Sequence, residues 1–171
     1  MRLTFKQLLD QQRWDDHRLY HRSRINQALH FVSAIGFLVA YVVLFFDPAL
    51  AALIGWGWSM STRQSGHFFF EPLGYDEVNR ASNEYKEQIK VGYNLQRKVI
   101  LLSAWALTPL VVWLSPTLFG IYAPYEGWYG FAHHLSVLWI ALGTVAGLLR
   151  TTYLCLTVEP RHGLVWMTKI L

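Results

Sequence analysis

Cysteine is nearly absent: Cys155 is the single one in 171 residues. No intrachain disulfide can form, and no thiolate cluster can hold zinc or an iron–sulfur centre, so any metal must rely on histidine, carboxylate or water. Charge is scarce too, at 15% of residues, and it is confined. None of the fifteen Lys and Arg residues falls in the windows Ile25 to Thr62 or Val99 to Leu149. With 53% of residues apolar, the composition departs from that of a soluble domain. Repeats of solenoid period and low-complexity tracts are missing, so a single helical domain over residues 1–171 is expected. The start, Met1 to Asn26, is polar and basic where a cleavable signal would already be apolar, and the first membrane helix is expected to serve as the targeting signal.

What remains is dominated by apolar runs long enough to cross hydrocarbon, since a helix rising ~1.5 Å per residue needs ~20 residues to do so. Spans are expected at 28–46, 48–66, 99–115 and 131–150. The expected fold is therefore all-α: an integral membrane bundle of about four transmembrane helices with a cytoplasmic amphipathic helical segment. Pro48 suits the first turn of a helix returning from the Asp47-Pro48 turn. The apolar residues Ala49 to Met60 are too few to cross alone, so that helix should continue. Continuing it puts Arg63, His67 and Glu71 on one face, with Pro72 and Gly74 ending the element. From Asp76 to Lys98 the chain is polar and helix-compatible, with Tyr85, Ile89 and Tyr93 recurring along a narrow apolar stripe suited to the membrane or the protein's own surface. Tyr122, Tyr125, Trp128 and Tyr129 suit a headgroup belt between the last two spans.

Every Lys and Arg lies in the N-terminal segment, in Arg63 to Lys98 or in the tail, which predicts a multi-pass protein with both termini in the cytoplasm. The net charge of +4 is dispersed beside the apolar blocks, so anionic membrane lipids rather than nucleic acid are the expected counter-charge. The oligomeric state is left open.

The histidines gather where apolar and charged segments meet. His17 and His21 share a helix face at i, i+4, as do Asn26 and His30, and His67 and Glu71. Each pair is half of a metal site. His21 and His30 lie roughly 180° apart around a straight helix, so they can share an ion only if the chain bends, for which Ser23 is the natural place. The candidate ligands are His21, His30, His67 and His17. Imidazole and carboxylate without thiolate suit zinc or non-haem iron, and two His with one carboxylate is the pattern of iron(II) oxygenases. The alternative is that these imidazoles cap helices or bind backbone carbonyls. His133 and His134 begin the last span at the opposite membrane face and are expected to be structural or interfacial; His162 is expected to be a solvated tail residue.

Two blocks resemble the yeast-type 2-hydroxy-fatty-acid dioxygenases, small membrane proteins of fatty-acid alpha-oxidation. Tyr20-His21 followed by Asn26 and His30 is similar to that family's first block, and Gly66-His67-Phe68-Phe69-Phe70-Glu71 to its Gly-His-x-x-Phe-Glu. The chain departs from the family at Arg22, Ser23 and Arg24, where a second His and Asn-Pro are common, and at Pro72-Leu73-Gly74, where Pro-Ala-Leu is usual. The resemblance implies an Fe(2+)-dependent dioxygenase that acts on a 2-hydroxy fatty acid with dioxygen and shortens the chain by one carbon. It implies iron on His21, His30 and His67, chelated by the substrate's carboxylate and 2-hydroxyl oxygens. Glu71 is then a fourth ligand or orients a histidine, Asn26 does the latter or holds the carboxylate, and Arg63 is either a carboxylate clamp or a positive-inside anchor. The acyl chain would run past Phe68 to Phe70, whose other reading is lipid-facing packing. Three further classes stay open: a non-catalytic membrane scaffold or lipid-binding protein with structural histidines, a zinc-dependent membrane hydrolase, and a haem electron-transfer protein using His30 and His134.

Overall fold

The computed structural model describes residues 3–21, 23–71, 74–92 and 94–170. Among them the architecture is helical, apart from one isolated antiparallel bridge between Asp76 and Ala81. The helices are α1 (Phe5–Tyr20), α2 (Arg24–Val43), α3 (Pro48–Ala52), a π-helical stretch (Leu53–Ser59), α4 (Met60–Phe69), α5 (Asn83–Ile89), α6 (Leu95–Leu114), α7 (Gly127–Thr157) and α8 (Pro160–Ile170). Three segments are long and apolar enough to cross a membrane: Arg24–Val43, Gln96–Leu114 and Gly127–Thr157. They correspond to the expected spans at 28–46, 99–115 and 131–150. The segment expected at 48–66 is instead divided among α3, the π-helical stretch and α4, which join without leaving right-handed helical geometry at Leu53 or Ser59.

Polar side chains fix where these elements begin. Thr4 caps α1 in a reciprocal capping box with Gln7, Ser23 caps α2, Asp47 caps α3 with Pro48 behind it, and Asn94 caps α6. Small residues then set how closely α2 meets the returning helix. Ser33, Gly36 and Ala40 lie on one face of α2, opposite Gly55, Ser59 and Gly66. A Cβ at Gly36 would run into Ser59 Oγ, and Ser33 Oγ donates to the Ser59 carbonyl at 2.7 Å. Without hydrophobic driving force between helices in lipid, such small-residue contact and interhelical hydrogen bonding are what hold them. The outward faces are apolar: Phe31, Leu38 and Val42 of α2, Ile100 and Trp113 of α6, and Leu149 and Leu156 of α7 are all exposed. Continuous apolar surface of that kind suits lipid contact.

A buried core of Val112, Leu118, Leu135 and Trp139 ties α6 to α7. There Trp139 Nε1 donates to Thr108 Oγ1 at 2.7 Å. At the other end of α7, α8 folds back along α7 and α1, allowed by Gly163, where a Cβ would strike Cys155 Sγ, and held by Lys169 Nζ on Asp16 Oδ2 at 2.6 Å.

The polar segment differs from its expectation. In place of a helix from Asp76 to Lys98, Asp76 Oδ1 accepts from the Val78 and Asn79 amides and folds a turn, and helix occupies only Asn83–Ile89. Within α5 the inward residue is Lys86, at 1% exposure, while Tyr85 and Ile89 of the apolar stripe face out. Arg22, the Pro72 stop, Leu73 and Tyr93 lie outside the described residues.

Candidate metal centre

α1 ends at Tyr20, and His21 leaves helical geometry at φ −116°, ψ 38° before Ser23 starts α2. This is the bend that nine-residue spacing demands. It turns the His21 ring back toward His30, one helical turn past Asn26. The third imidazole arrives from α4. Gly66 is what lets it come close: a Cβ there would run into Asn26 Oδ1 and meet His30 Cδ2 at 3.5 Å, so only glycine allows α4 to lie against α2 at this level. Asn26 itself is fully buried, and its Nδ2 donates to the Tyr20 carbonyl at 2.9 Å, clamping the bend. Gln27 Nε2 adds a bond to the His21 carbonyl at 2.6 Å.

The result is a triangle of imidazoles. Ring centroids are 4.3 Å apart for His21 and His30, 4.7 Å for His30 and His67, and 5.3 Å for His21 and His67. Each offers a nitrogen, and these atoms lie within 4.8 Å of one another. Two of the rings are oriented from outside. His21 Nδ1 lies 2.9 Å from the Asp16 carbonyl, which can only accept, so this nitrogen carries the proton. His67 Nδ1 is 2.7 Å from Glu71 Oε2. A proton on each Nδ1 leaves the Nε2 lone pair free. Nε2 of His21 and Nε2 of His30 are both buried with no hydrogen-bond partner. Buried unpartnered nitrogens normally cost stability, and two of them converging beside His67, with outer partners in place on His21 and His67, is an arrangement that suits a metal ion. The cluster could hold such an ion; the nitrogen donors suit zinc and iron alike.

The electrostatics agree. Burial pushes the His21 imidazole below its ordinary value, against the opposing pull of the Asp16 carbonyl and carboxylate, which keeps the ring in the neutral, ligating form. Burial alone would raise the Glu71 carboxyl, but the hydrogen bond from His67 and the nearby Lys90 outweigh it and hold it below its usual value. Glu71 is thus an anion. Its other oxygen lies 3.5 Å from Lys90 Nζ, which also pairs with Glu87 at 3.1 Å. The Lys90 ammonium sits 3.9 Å above the Tyr20 ring, and Tyr20 OH donates to the Lys86 carbonyl at 2.5 Å. Burial first, then the carboxylates of Asp16, Glu87 and Glu71, raise the Tyr20 phenol well above its ordinary value, so it stays a neutral donor.

His21, His30, His67, Glu71 and Asn26 therefore meet in one place. His17 does not join them. It is exposed, with its ring against Trp14, because His21 departs from the helix face the two would have shared. Arg63 is one turn before His67 but its side chain is exposed, and the small cleft beside His67 and Glu71 is lined instead by Lys90 and Lys98. His134 is buried among Tyr122 and Tyr125, and His162 lies near Glu159, both outside the triad. His30 and His134 thus belong to separate clusters, which removes the pairing a haem would need. Lys90 and Lys98 were not anticipated; the available signal was a pair of cations flanking the apolar start of α6, directly after the polar segment. No protein-family model, curated protein or solved structure matches this chain.

Proposed function

We propose that the protein is an iron(II)-dependent dioxygenase that shortens 2-hydroxy fatty acids by one carbon. The observation that carries this reading is the buried triad itself: three imidazoles from three segments, two with Nδ1 fixed by Asp16 and Glu71, and Nε2 of His21 and His30 without partners. The resemblance of Tyr20-His21, Asn26, His30 and Gly66-His67 with Glu71 to the yeast-type 2-hydroxy-fatty-acid dioxygenases supports it. Bound there, iron(II) would supply Lewis acidity and the capacity to activate dioxygen.

The chain's own residues do the positioning. Asp16 and Glu71 fix the tautomers of His21 and His67, so no proton has to leave a ring before a metal binds. Asn26 ties the His21 bend to α2, and Gly66 sets the distance to α4. Oxidation of a 2-hydroxy acid by one dioxygen balances as the shortened acid, carbon dioxide and water, so oxygen uptake and loss of substrate should run one to one.

The same reading makes the protein a multi-pass membrane protein in which residues 48–66 form a further crossing and both termini are cytoplasmic, supported by the confinement of Lys and Arg to the N-terminal segment, Arg63 to Lys98 and the tail. That would set the triad at the cytoplasmic surface, where an acyl substrate can enter from the bilayer with its head group near water.

The test is elemental analysis of untagged protein purified in detergent without chelator, beside a His30→Ala, His67→Ala double variant. Iron near one per chain, lost in the variant, followed by oxygen uptake with a 2-hydroxy fatty acid, is the expected result. Zinc in its place would redirect the reading to hydrolysis. No metal in either protein, even after iron(II) reconstitution, would overturn it and favour a scaffold with structural histidines.

A further inference from the structure

The cleft beside the triad carries two cations and two carboxylates. It is bordered by His67 and Glu71 at the end of α4, by Asn83 and Glu87 of α5, by Lys90 just beyond, and by Lys98 in the opening turns of α6. Lys90 bridges Glu71 and Glu87, and these three leave one negative charge. Lys98 is left over. It is half-buried and forms no ion pair among the described residues.

Local structure gives no reason for a cation there. Lys98 lies four residues after the Asn94 cap, at the end of α6 where the exposed amides carry positive partial charge, which disfavours an ammonium. A partly desolvated ammonium without a direct ion pair is costly, and an anion entering the cleft beside it offsets that cost. The cleft also joins polar and apolar surroundings. Phe68 lines it beside His67, and the apolar run of α6 begins at Val99, one residue after Lys98. α6 packs chiefly on α7, so it does not close this side against α4. Those surroundings match in polarity an anionic head with a single apolar tail.

Building on the dioxygenase reading, we propose that Lys98, rather than Arg63, binds the substrate carboxylate and sets the head group beside the His21, His30 and His67 centre. The anion is the carboxylate of a free acyl chain. A lipid phosphate, the other anion at a membrane surface, is the competing source.

The experiment compares wild type, Lys98→Gln and Lys98→Arg in detergent, with metal content measured on each. Binding of 2-hydroxypalmitate, its methyl ester and palmitoyl lysophosphatidate is followed by calorimetry. The proposal expects unchanged metal content, a loss of tenfold or more for 2-hydroxypalmitate in Lys98→Gln, little change for the ester, and recovery in Lys98→Arg. Wild-type affinity for the acid in Lys98→Gln, with metal retained, overturns the assignment and leaves the metal centre standing. Equal weakening of acid and ester assigns Lys98 a structural role and also overturns it. Tighter binding of lysophosphatidate than of the acid, lost in Lys98→Gln, overturns the carboxylate in favour of phosphate. Wild type that binds no metal defeats the dioxygenase reading, and the acid-over-ester preference then still decides for or against Lys98.

Discussion

Replacing Glu71 with alanine isolates what orientation of a ligand contributes to the centre. Its Oε2 lies 2.7 Å from His67 Nδ1, with the two side chains only 8% and 12% exposed, so the hydrogen bond is charge-assisted and poorly screened. Outer partners of metal-bound histidines contribute about 10- to 100-fold in affinity, which is about 1.4 to 2.8 kcal/mol. The low exposure places Glu71→Ala toward the upper end of that range. Lys90 retains Glu87, so the substitution does not strand a second buried charge. Glu71→Gln, which keeps an acceptor but not the charge, should fall between alanine and wild type. Affinity is read by titrating cobalt(II) or zinc against a chromophoric chelator, with helix content checked by circular dichroism. Affinity within twofold of wild type for Glu71→Ala, while His67→Ala abolishes binding, would refute the idea that Glu71 holds the His67 tautomer. A loss far beyond 100-fold would make Glu71 a direct ligand, the other role its spacing allows.

Gly66→Ala should separate α2 from α4, since its Cβ would run into Asn26 Oδ1; overpacking of this kind costs about 1 to 3 kcal/mol, so the melting temperature in detergent and metal content should both fall, while Gly74→Ala, with nothing within 4 Å, should change neither. Tyr20→Phe leaves the Lys86 carbonyl without its buried donor at a cost of about 1 to 3 kcal/mol, read as a lowered melting temperature; an unchanged value would mean the hydroxyl is dispensable. Acid should weaken the fold through His21. Its folded value is lowered by burial, so near its ordinary value the unfolded chain binds more protons, and the stability from this group is present above about pH 6.5 and lost as pH falls below it. Melting temperatures of metal-free protein should therefore drop less steeply with acid in His21→Ala than in wild type, and parallel slopes would count against a buried neutral His21.

How much of this was legible in the chain depends on whether the cause is local. The bend at Ser23 follows from helical geometry once His21 and His30 are required to meet, and a side-chain cap at Ser23 delivers it. The pairing of His67 with Glu71 is an i, i+4 relation that survives although the helix ends at Phe69. His17 shows the limit of the same rule: the i, i+4 spacing is real, but a helix that stops between two residues no longer gives them a common face. The four-residue rule says which side chains can meet, and the cap decides which of them do.

The features that escaped the sequence are set by contacts distant in the chain. Periodicity read the Tyr85 and Ile89 stripe as suited to the membrane or the protein's own surface; the structure leaves that stripe exposed and turns Lys86 inward. The reason lies on α1, where Tyr20 bonds the Lys86 carbonyl across 66 residues and stacks beneath Lys90. A polar segment following a membrane helix can bury its charges if a partner already waits, and no local pattern reveals that partner. The same contact fixes the charge of the cleft. With Lys90 drawn over Tyr20 and bridging Glu71 to Glu87, the orienting carboxylate of His67 is paired from within the protein, and Lys98 is the lysine of the cleft that forms no ion pair among the described residues. Tyr20 therefore acts at two removes from the imidazoles: it positions Lys90, Lys90 engages Glu71, and Glu71 orients His67. A chain of three contacts from three segments cannot be read from any window of sequence, yet each link is an ordinary hydrogen bond, ion pair or cation–π contact once the helices are in place.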